Sequence, residues 1–127
     1  MIDTDLLNEI VKNITTSILT PVIYMCEHED CYEFVCFCDN NVTFEELYAV
    51  GVLISQKLDK PAEVTDIREY ELCDRIDIVS NTEVVFSQDP IVSKIFTEAI
   101  FEDYRKTLLE KEDMLNRISE SGTYFLQ

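Results

Sequence analysis

The stretch that decides the fold is CYEFVCFCDNNVTFEELYAVGVLISQKLDKPAEVTDI, residues 31–67. It begins with a short apolar run, continues with apolar residues at helical spacing, and ends with a second short apolar run. Thr43 and Glu46 form a capping box at the start of the helix. A helix between two strands is the crossover that parallel strands require, so the stretch predicts a β-α-β unit with strands at 31–38 and 62–67.

The flanking sequence adds elements of both types. Asp89-Pro90 is typical of a helix start, and it begins a long terminal helix whose apolar stripe of Ile91, Ile95 and Ala99 is widened by Phe96 and Ile100. Asp39-Asn40-Asn41 is a turn signal. We therefore predict an α/β (α+β) fold in which a small mixed sheet is flanked by helices, the last of them long. The predicted elements outside the β-α-β strands are helices over 3–18, 43–58, 70–78 and 89–118 and strands over 22–26 and 83–86.

The composition is that of one folded, strongly acidic domain. The 127 residues match the usual size of a single domain, and 46% of them are hydrophobic, so we predict one domain over 1–127. The 26 Asp and Glu residues against 10 Lys and Arg give a formal net charge of -16. This charge repels phosphate backbones, so we expect no direct nucleic-acid binding, and it attracts basic protein surfaces.

The cysteines and the apolar runs indicate where the protein works. Five cysteines are an odd count without the spacing of a secreted disulfide framework, so we expect reduced thiols and a cytoplasmic protein. Cys36 and Cys38 share one face of their strand, where thiols behave as small apolar groups. No apolar run approaches the roughly 20 residues that cross a bilayer, and the amino terminus lacks a basic region, so we expect no membrane association.

From Leu47 onward, the order of elements and the residue choices resemble the second half of a minimal nucleotidyltransferase (MNT). This family includes antitoxins that are paired with HEPN-domain ribonucleases. Together with the first helix, the resemblance spans nearly the whole chain and implies the fold predicted above. The residues that carry it are the helix at 46–58, AEVTDI at 62–67, the stretch 72–79, EVVF at 83–86, and Asp89, Phe96, Ala99 and Tyr104 of the terminal helix.

The catalytic motifs of that family are altered here. In the family, a Gly-Ser turn after the first strand holds nucleotide phosphate, and an Asp-x-Asp pair on the next strand binds Mg²⁺. The resemblance places the turn at Cys26-Glu27-His28, where glycine is absent and Glu27 adds a negative charge. It places the Asp-x-Asp pair on Cys31 and Glu33, and a thiol is a poor ligand for Mg²⁺.

The third carboxylate of the family falls on Glu63, and Asp66 occupies another acidic position of the same strand. Glu33 and Glu63 are therefore the remaining candidate ligands for a divalent cation such as Mg²⁺. Two carboxylates without a phosphate cradle do not support nucleotidyl transfer. We expect a degenerate site with no catalytic residue and no bound cofactor, and Mg²⁺ is the one ion that it still suits.

Two other groups of residues could carry chemistry. Cys26, His28 and Cys31 lie within six residues and are the soft ligands that zinc prefers, but their spacing matches no familiar half-site. His28 is the single histidine, so it is the one candidate for histidine-dependent acid-base chemistry. Its acidic neighbours favour a charged surface group instead.

Three functions are compatible with these residues. The leading hypothesis is a non-catalytic nucleotidyltransferase-like protein, an antitoxin-like or regulatory subunit that binds and neutralises a basic protein such as a HEPN ribonuclease. The first alternative is an active Mg²⁺-dependent nucleotidyltransferase that modifies a partner toxin, with Glu33 and Glu63 holding the ion. The second alternative is a structural homodimer.

Overall fold

The computed structural model describes residues 2–38 and 42–121. The predicted turn at 39–41 lies outside these residues. A 3-10 turn, Ile67–Glu69, separates the third strand from the third helix. The elements in chain order are α1 (Thr4–Ser17), β1 (Val22–Glu27), β2 (Tyr32–Cys36), α2 (Phe44–Leu58), β3 (Ala62–Asp66), α3 (Leu72–Asn81), β4 (Glu83–Ser87) and α4 (Pro90–Ser121).

The four strands form one mixed sheet in the order β3-β2-β1-β4. β1 and β2 form an antiparallel hairpin, and β4 pairs antiparallel with the other side of β1. β2 and β3 are parallel and are joined by α2, which is the predicted β-α-β unit. The α+β prediction, with a mixed sheet and a long terminal helix, is confirmed. Within the described residues, no helix is both long enough and apolar enough to span a bilayer.

Helices cover both faces of the sheet and bury a core on each. On the first face, α1 and α2 pack on the sheet, and Cys36 and Cys38 are buried there as predicted. On the second face, α3 and the first part of α4 pack on the sheet. The core of the first face includes Ile10, Ile14, Ile23, Phe34, Ile54 and Val64, and that of the second face includes Val22, Tyr24, Val35, Phe37, Ile78 and Ile100.

The helix α2 lies close along β3. Its start is capped as predicted, because the Thr43 hydroxyl accepts a hydrogen bond from the Glu46 amide at 3.2 Å. Gly51 allows the close approach, since a Cβ atom there would lie 3.2 Å from the Ala62 carbonyl oxygen. The Ser55 hydroxyl accepts from the Ala62 amide at 2.9 Å and also lies 3.2 Å from the Ala62 carbonyl oxygen. The Ser55 hydroxyl thus hydrogen-bonds the backbone amide and carbonyl of Ala62, the first residue of β3.

Two elements differ from the predictions. The third helix begins at Leu72 rather than at residue 70, because the Asp66 carboxylate accepts from the Arg68 amide at 3.1 Å and caps the 3-10 turn. Tyr70 therefore precedes the helix. In α4, the expected stripe residues Ile91 and Ile95 are 67% and 58% exposed. The side of α4 next to these two residues packs on the sheet instead.

That face of α4 is the one that carries Phe96 and Ile100. The Phe96 ring stacks on Phe37 with their centroids 4.6 Å apart, and Ile100 is buried. The aromatic contact with Phe37, which directly follows β2, therefore sets the rotation of α4 within the predicted stripe.

Candidate functional site

Three of the residues placed by the family resemblance lie side by side on the sheet. Glu33 of β2 is paired with Cys26 of β1 on one side and with Glu63 of β3 on the other. Directly paired residues on neighbouring strands project to the same face, so the three side chains form a row across the sheet. The structure thus brings Glu33 and Glu63 together.

Two other protein groups lie beside the carboxylate of Glu33. They are the Cys26 thiol and the Tyr70 hydroxyl, and the negative charge of Glu33 adds to the effect of burial on the pKa of each. The Tyr70 hydroxyl lies 3.0 Å from the Thr65 hydroxyl. The Arg75 guanidinium donates to the Tyr70 carbonyl oxygen at 2.8 Å and holds this segment in place. Tyr70 is thus held beside the central residue of the site.

Sequence reasoning missed Tyr70. In the sequence, an aromatic residue at this position fits the apolar side of the predicted third helix, and no motif distinguishes it. The available signal is Asp66, a capping residue that directly follows the strand and starts the 3-10 turn.

The two neighbours of Glu33 hold their protons firmly. Burial first, and the negative charge of Glu33 second, raise the pKa of the Cys26 thiol to about 11. Burial likewise raises the pKa of Tyr70 to about 12, although the hydrogen bond with Thr65 acts in the opposite direction. At neutral pH Cys26 and Tyr70 therefore both keep their protons, and Cys26 is not a thiolate nucleophile.

The turn at 27–31 has the geometry of a tight hairpin. The His28 amide donates to the Cys31 carbonyl oxygen at 2.8 Å, so it is used within the turn. The Lys60 ammonium donates to the His28 carbonyl oxygen at 3.2 Å. A phosphate at this turn would meet carboxylates, and the His28 amide is not available to it. The exposed acidic residues of the turn are Glu27, Glu29 and Asp30.

Further carboxylates surround this end of the sheet. Burial raises the pKa of the Cys31 thiol, and the charges of Asp30, Glu63 and Glu33 raise it further. Asp77 of α3 acts on Cys26 in the same way. Lys60 is a cation close to Cys31 and opposes this effect. The carboxylates at this end of the sheet lie on both of its faces, since Glu83 is paired with Met25 of the first core. We call them together the acidic patch: Glu27, Glu29, Asp30, Glu33, Glu63, Asp77 and Glu83.

The residues at the metal position of the family do not fit a magnesium ion well. Mg²⁺ requires near-octahedral oxygen coordination, whereas Cys31 offers a thiol where the family has a carboxylate. Among the described residues, neither the set Cys31, Glu33 and Glu63 nor the soft set Cys26, His28 and Cys31 brings three ligand atoms within 4.8 Å of one another. The group that does so is Glu71, Cys73 and Asp74, which is exposed at the start of α3 and involves none of the predicted residues.

The coupling between Glu33 and Cys26 gives a testable prediction. Replacing Glu33 by glutamine removes a negative charge beside the thiol, so the pKa of Cys26 is expected to fall below about 11. Each unit of this fall increases the thiolate fraction about tenfold at a fixed pH below the pKa. Iodoacetamide alkylation of Cys26, followed by mass spectrometry across alkaline pH, measures the change.

Glu29→Gln provides the matched control for this prediction. Glu29 belongs to the acidic patch but does not contribute to the pKa shift of Cys26. Its replacement should leave the alkylation profile of Cys26 unchanged. Equal profiles for Glu33→Gln and the unmodified protein would contradict the described contact.

Comparison with known proteins identifies the fold. No protein-family model matches the sequence, and no curated protein sequence matches it either. Solved structures do match. A chain of the toxin-antitoxin complex MntA-HepT is 12% identical, with a TM-score of 0.75 over 92% of this chain and 99% of that chain.

Related complexes match in the same way. A chain from the complex of a tri-AMPylated Shewanella oneidensis HEPN toxin with its MNT antitoxin is 12% identical, with a TM-score of 0.73 over 90% of this chain and 96% of that chain. A chain of a toxin-antitoxin structure with AMP-PNP is 11% identical, with a TM-score of 0.72 over 89% of this chain and 98% of that chain. At such identities the likeness concerns the backbone. The chain therefore has the fold of the MNT-type nucleotidyltransferases.

Proposed function

We propose that this chain is a non-catalytic MNT-like subunit, an antitoxin-like protein of the cytoplasm that binds and neutralises a basic protein partner. The observation that carries the proposal is the state of Glu33. Its carboxylate lies beside Cys26 and Tyr70 and belongs to the acidic patch, next to a turn that contains no glycine. The same arrangement disfavours the binding of a nucleotide and favours the binding of a cationic protein.

Electrostatics oppose nucleotide binding at this position. Two like unit charges 4 Å apart repel by about 1 kcal/mol in water and by about 4 kcal/mol near a protein surface. A triphosphate carries several charges, and each would face the carboxylates of the acidic patch. Glycine amides normally offset part of this repulsion, and the turn at 27–31 contains no glycine.

The same charges suit a ribonuclease as the partner. A protein that binds RNA must present a cationic groove, and an acidic surface can cover that groove in place of the phosphates. Opposite charges also accelerate the encounter of two proteins. Because similar structures are complexes of MNT antitoxins with HEPN toxins, a HEPN-domain toxin is the partner class that we propose.

One observation favours the alternative function, an active Mg²⁺-dependent transferase that modifies a partner toxin. Glu33 and Glu63 are direct neighbours on parallel strands and project to one face. Similar structures include an AMPylated toxin and a complex with AMP-PNP. The alternative requires that Glu33 coordinates Mg²⁺ with Cys26 and Tyr70 beside it.

One experiment separates the two functions. The chain is co-expressed with the protein encoded by the adjoining gene, and the purified mixture is incubated with labelled ATP and Mg²⁺. We expect a complex that inhibits ribonuclease activity, that dissociates as salt is raised, and that incorporates no label.

Variants of the chain make this result decisive. Label that is incorporated by the unmodified chain and lost in a Glu33→Ala, Glu63→Ala variant would establish the alternative. Glu98→Ala serves as the control, because Glu98 is an exposed carboxylate on α4 outside the acidic patch. Absence of any complex with the adjoining protein would refute the neutralising role.

A further inference from the structure

The terminal helix continues its apolar face beyond the domain. α4 has 32 residues and is therefore about 48 Å long. Its first part packs on the sheet and α3 through Phe96 and Ile100. Further along, apolar side chains on the same helix are exposed to solvent. They are Phe101 (39%), Leu108 (47%), Leu109 (58%), Met114 (60%) and Leu115 (63%).

The sequence of this second part has the spacing of a coiled coil. Six positions are separated alternately by three and four residues, which places them in one seam along the helix. Five of them carry apolar or aromatic side chains, and the sixth is a lysine. We call these positions the α4 seam: Phe101, Tyr104, Leu108, Lys111, Leu115 and Ile118.

We propose that the α4 seam binds the α4 seam of a second copy of this chain, in antiparallel orientation. This proposal goes beyond the proposed function and does not depend on it. The geometry of an antiparallel pair places Phe101 opposite Ile118 of the second copy when the whole seam overlaps. Tyr104 then lies opposite Leu115, and Leu108 opposite Lys111.

The charges beside the seam select both the partner and this alignment. Arg105 and Glu112 occupy equivalent positions one heptad apart, next to the seam. When the whole seam overlaps, Arg105 lies beside Glu112 of the second copy, and the symmetry repeats this ion pair. A shift by one heptad in either direction instead places Arg105 beside Arg105 or Glu112 beside Glu112. Only full overlap therefore pairs opposite charges.

The large negative charge of the chain does not prevent this association. Residues 101–118 contain five acidic and four basic residues, a net charge of only -1. An antiparallel arrangement puts the two domains at opposite ends of a seam that is about 26 Å long. This distance is well beyond the Debye length of about 8 Å at physiological ionic strength, so the domains repel each other weakly.

The ion pair of Arg105 beside the seam is compatible with pairing. Arg105 forms an ion pair with Glu102 at 2.8 Å, with side chains 68% and 49% exposed. Such an exposed pair contributes little to stability and can be exchanged. Lys111 can cover Leu108 of the second copy with its alkyl stem while its ammonium stays in water. A lysine at this position limits affinity and favours one alignment.

Sedimentation of the full chain at about 100 µM tests the proposal. We expect a dimer with twice the 14.8 kDa mass of one chain. The Leu108→Asp, Leu115→Asp variant should be monomeric, and its circular dichroism should be unchanged because both side chains are exposed. Arg105→Glu alone and Glu112→Arg alone should each raise the dissociation constant about tenfold. The double charge swap should restore the original constant.

Three results would overturn the proposal. If the unmodified chain is monomeric, the α4 seam does not bind a second copy and is instead a surface for a helix of another protein. A dimer that tolerates the two aspartates would place the contact elsewhere on the molecule. A double charge swap no better than either single swap would exclude the antiparallel alignment.

Discussion

Replacing Phe34 by alanine is expected to lower the free energy of unfolding by about 3–5 kcal/mol. Phe34 lies on β2, an inner strand of the sheet, and its side chain is fully buried in the core beneath α1 and α2. Truncation removes its transfer free energy and leaves a cavity that neighbouring side chains fill only partly. Since domains are stable by about 5–15 kcal/mol in total, this is a large fraction of the stability.

Urea unfolding followed by circular dichroism measures this loss. Phe44→Ala is the matched control, because the same side chain is removed at a position that is 79% exposed. Its effect should stay within about 0.5 kcal/mol. If the two variants lost equal stability, Phe34 would not occupy the core position described here.

Replacing Gly51 by valine is expected to lower the free energy of unfolding by about 1–3 kcal/mol. A Cβ atom at this position lies 3.2 Å from the Ala62 carbonyl oxygen, which is a backbone atom and cannot rotate away. Valine adds two further methyl groups beside β3. The loss occurs although valine is a better helix former than glycine, because intrinsic propensity differs by only a few tenths of a kcal/mol.

Two other variants isolate this contact in the same urea experiment. Ala49→Val places the same side chain on the exposed face of α2, and only the propensity loss of about 0.5 kcal/mol is expected. Gly51→Ala gains up to about 1 kcal/mol of propensity, which offsets the close contact and gives a change near zero. A stabilised Gly51→Val variant would contradict the close packing of α2 on β3.

The order of the elements was predictable from the sequence because its signals are local. Apolar spacing, the Thr43 cap and Pro90 each act within a few residues of their own position. The neighbourhood of Glu33 and Glu63 was also predictable, because a β-α-β unit places its two strands side by side. The sequence therefore predicts well those features that depend on residues within one short segment.

The position of Tyr70 beside Glu33 was not predictable in this way. It depends on the 3-10 turn that Asp66 caps, and on Arg75, which holds the Tyr70 carbonyl. The rotation of α4 likewise depends on the contact between Phe96 and Phe37 across the second core. Contacts between distant segments decide these features, and no periodic pattern encodes them.

The bonding of Ser55 to Ala62 affects how the protein behaves at high concentration. β3 is a terminal strand, and a terminal strand normally has unpaired backbone groups to which a strand of another molecule can attach. Here the Ala62 amide is bound by Ser55, and α2 lies along the margin of the strand. The Ala62 amide is thereby closed to the strand pairing that begins the growth of fibrils.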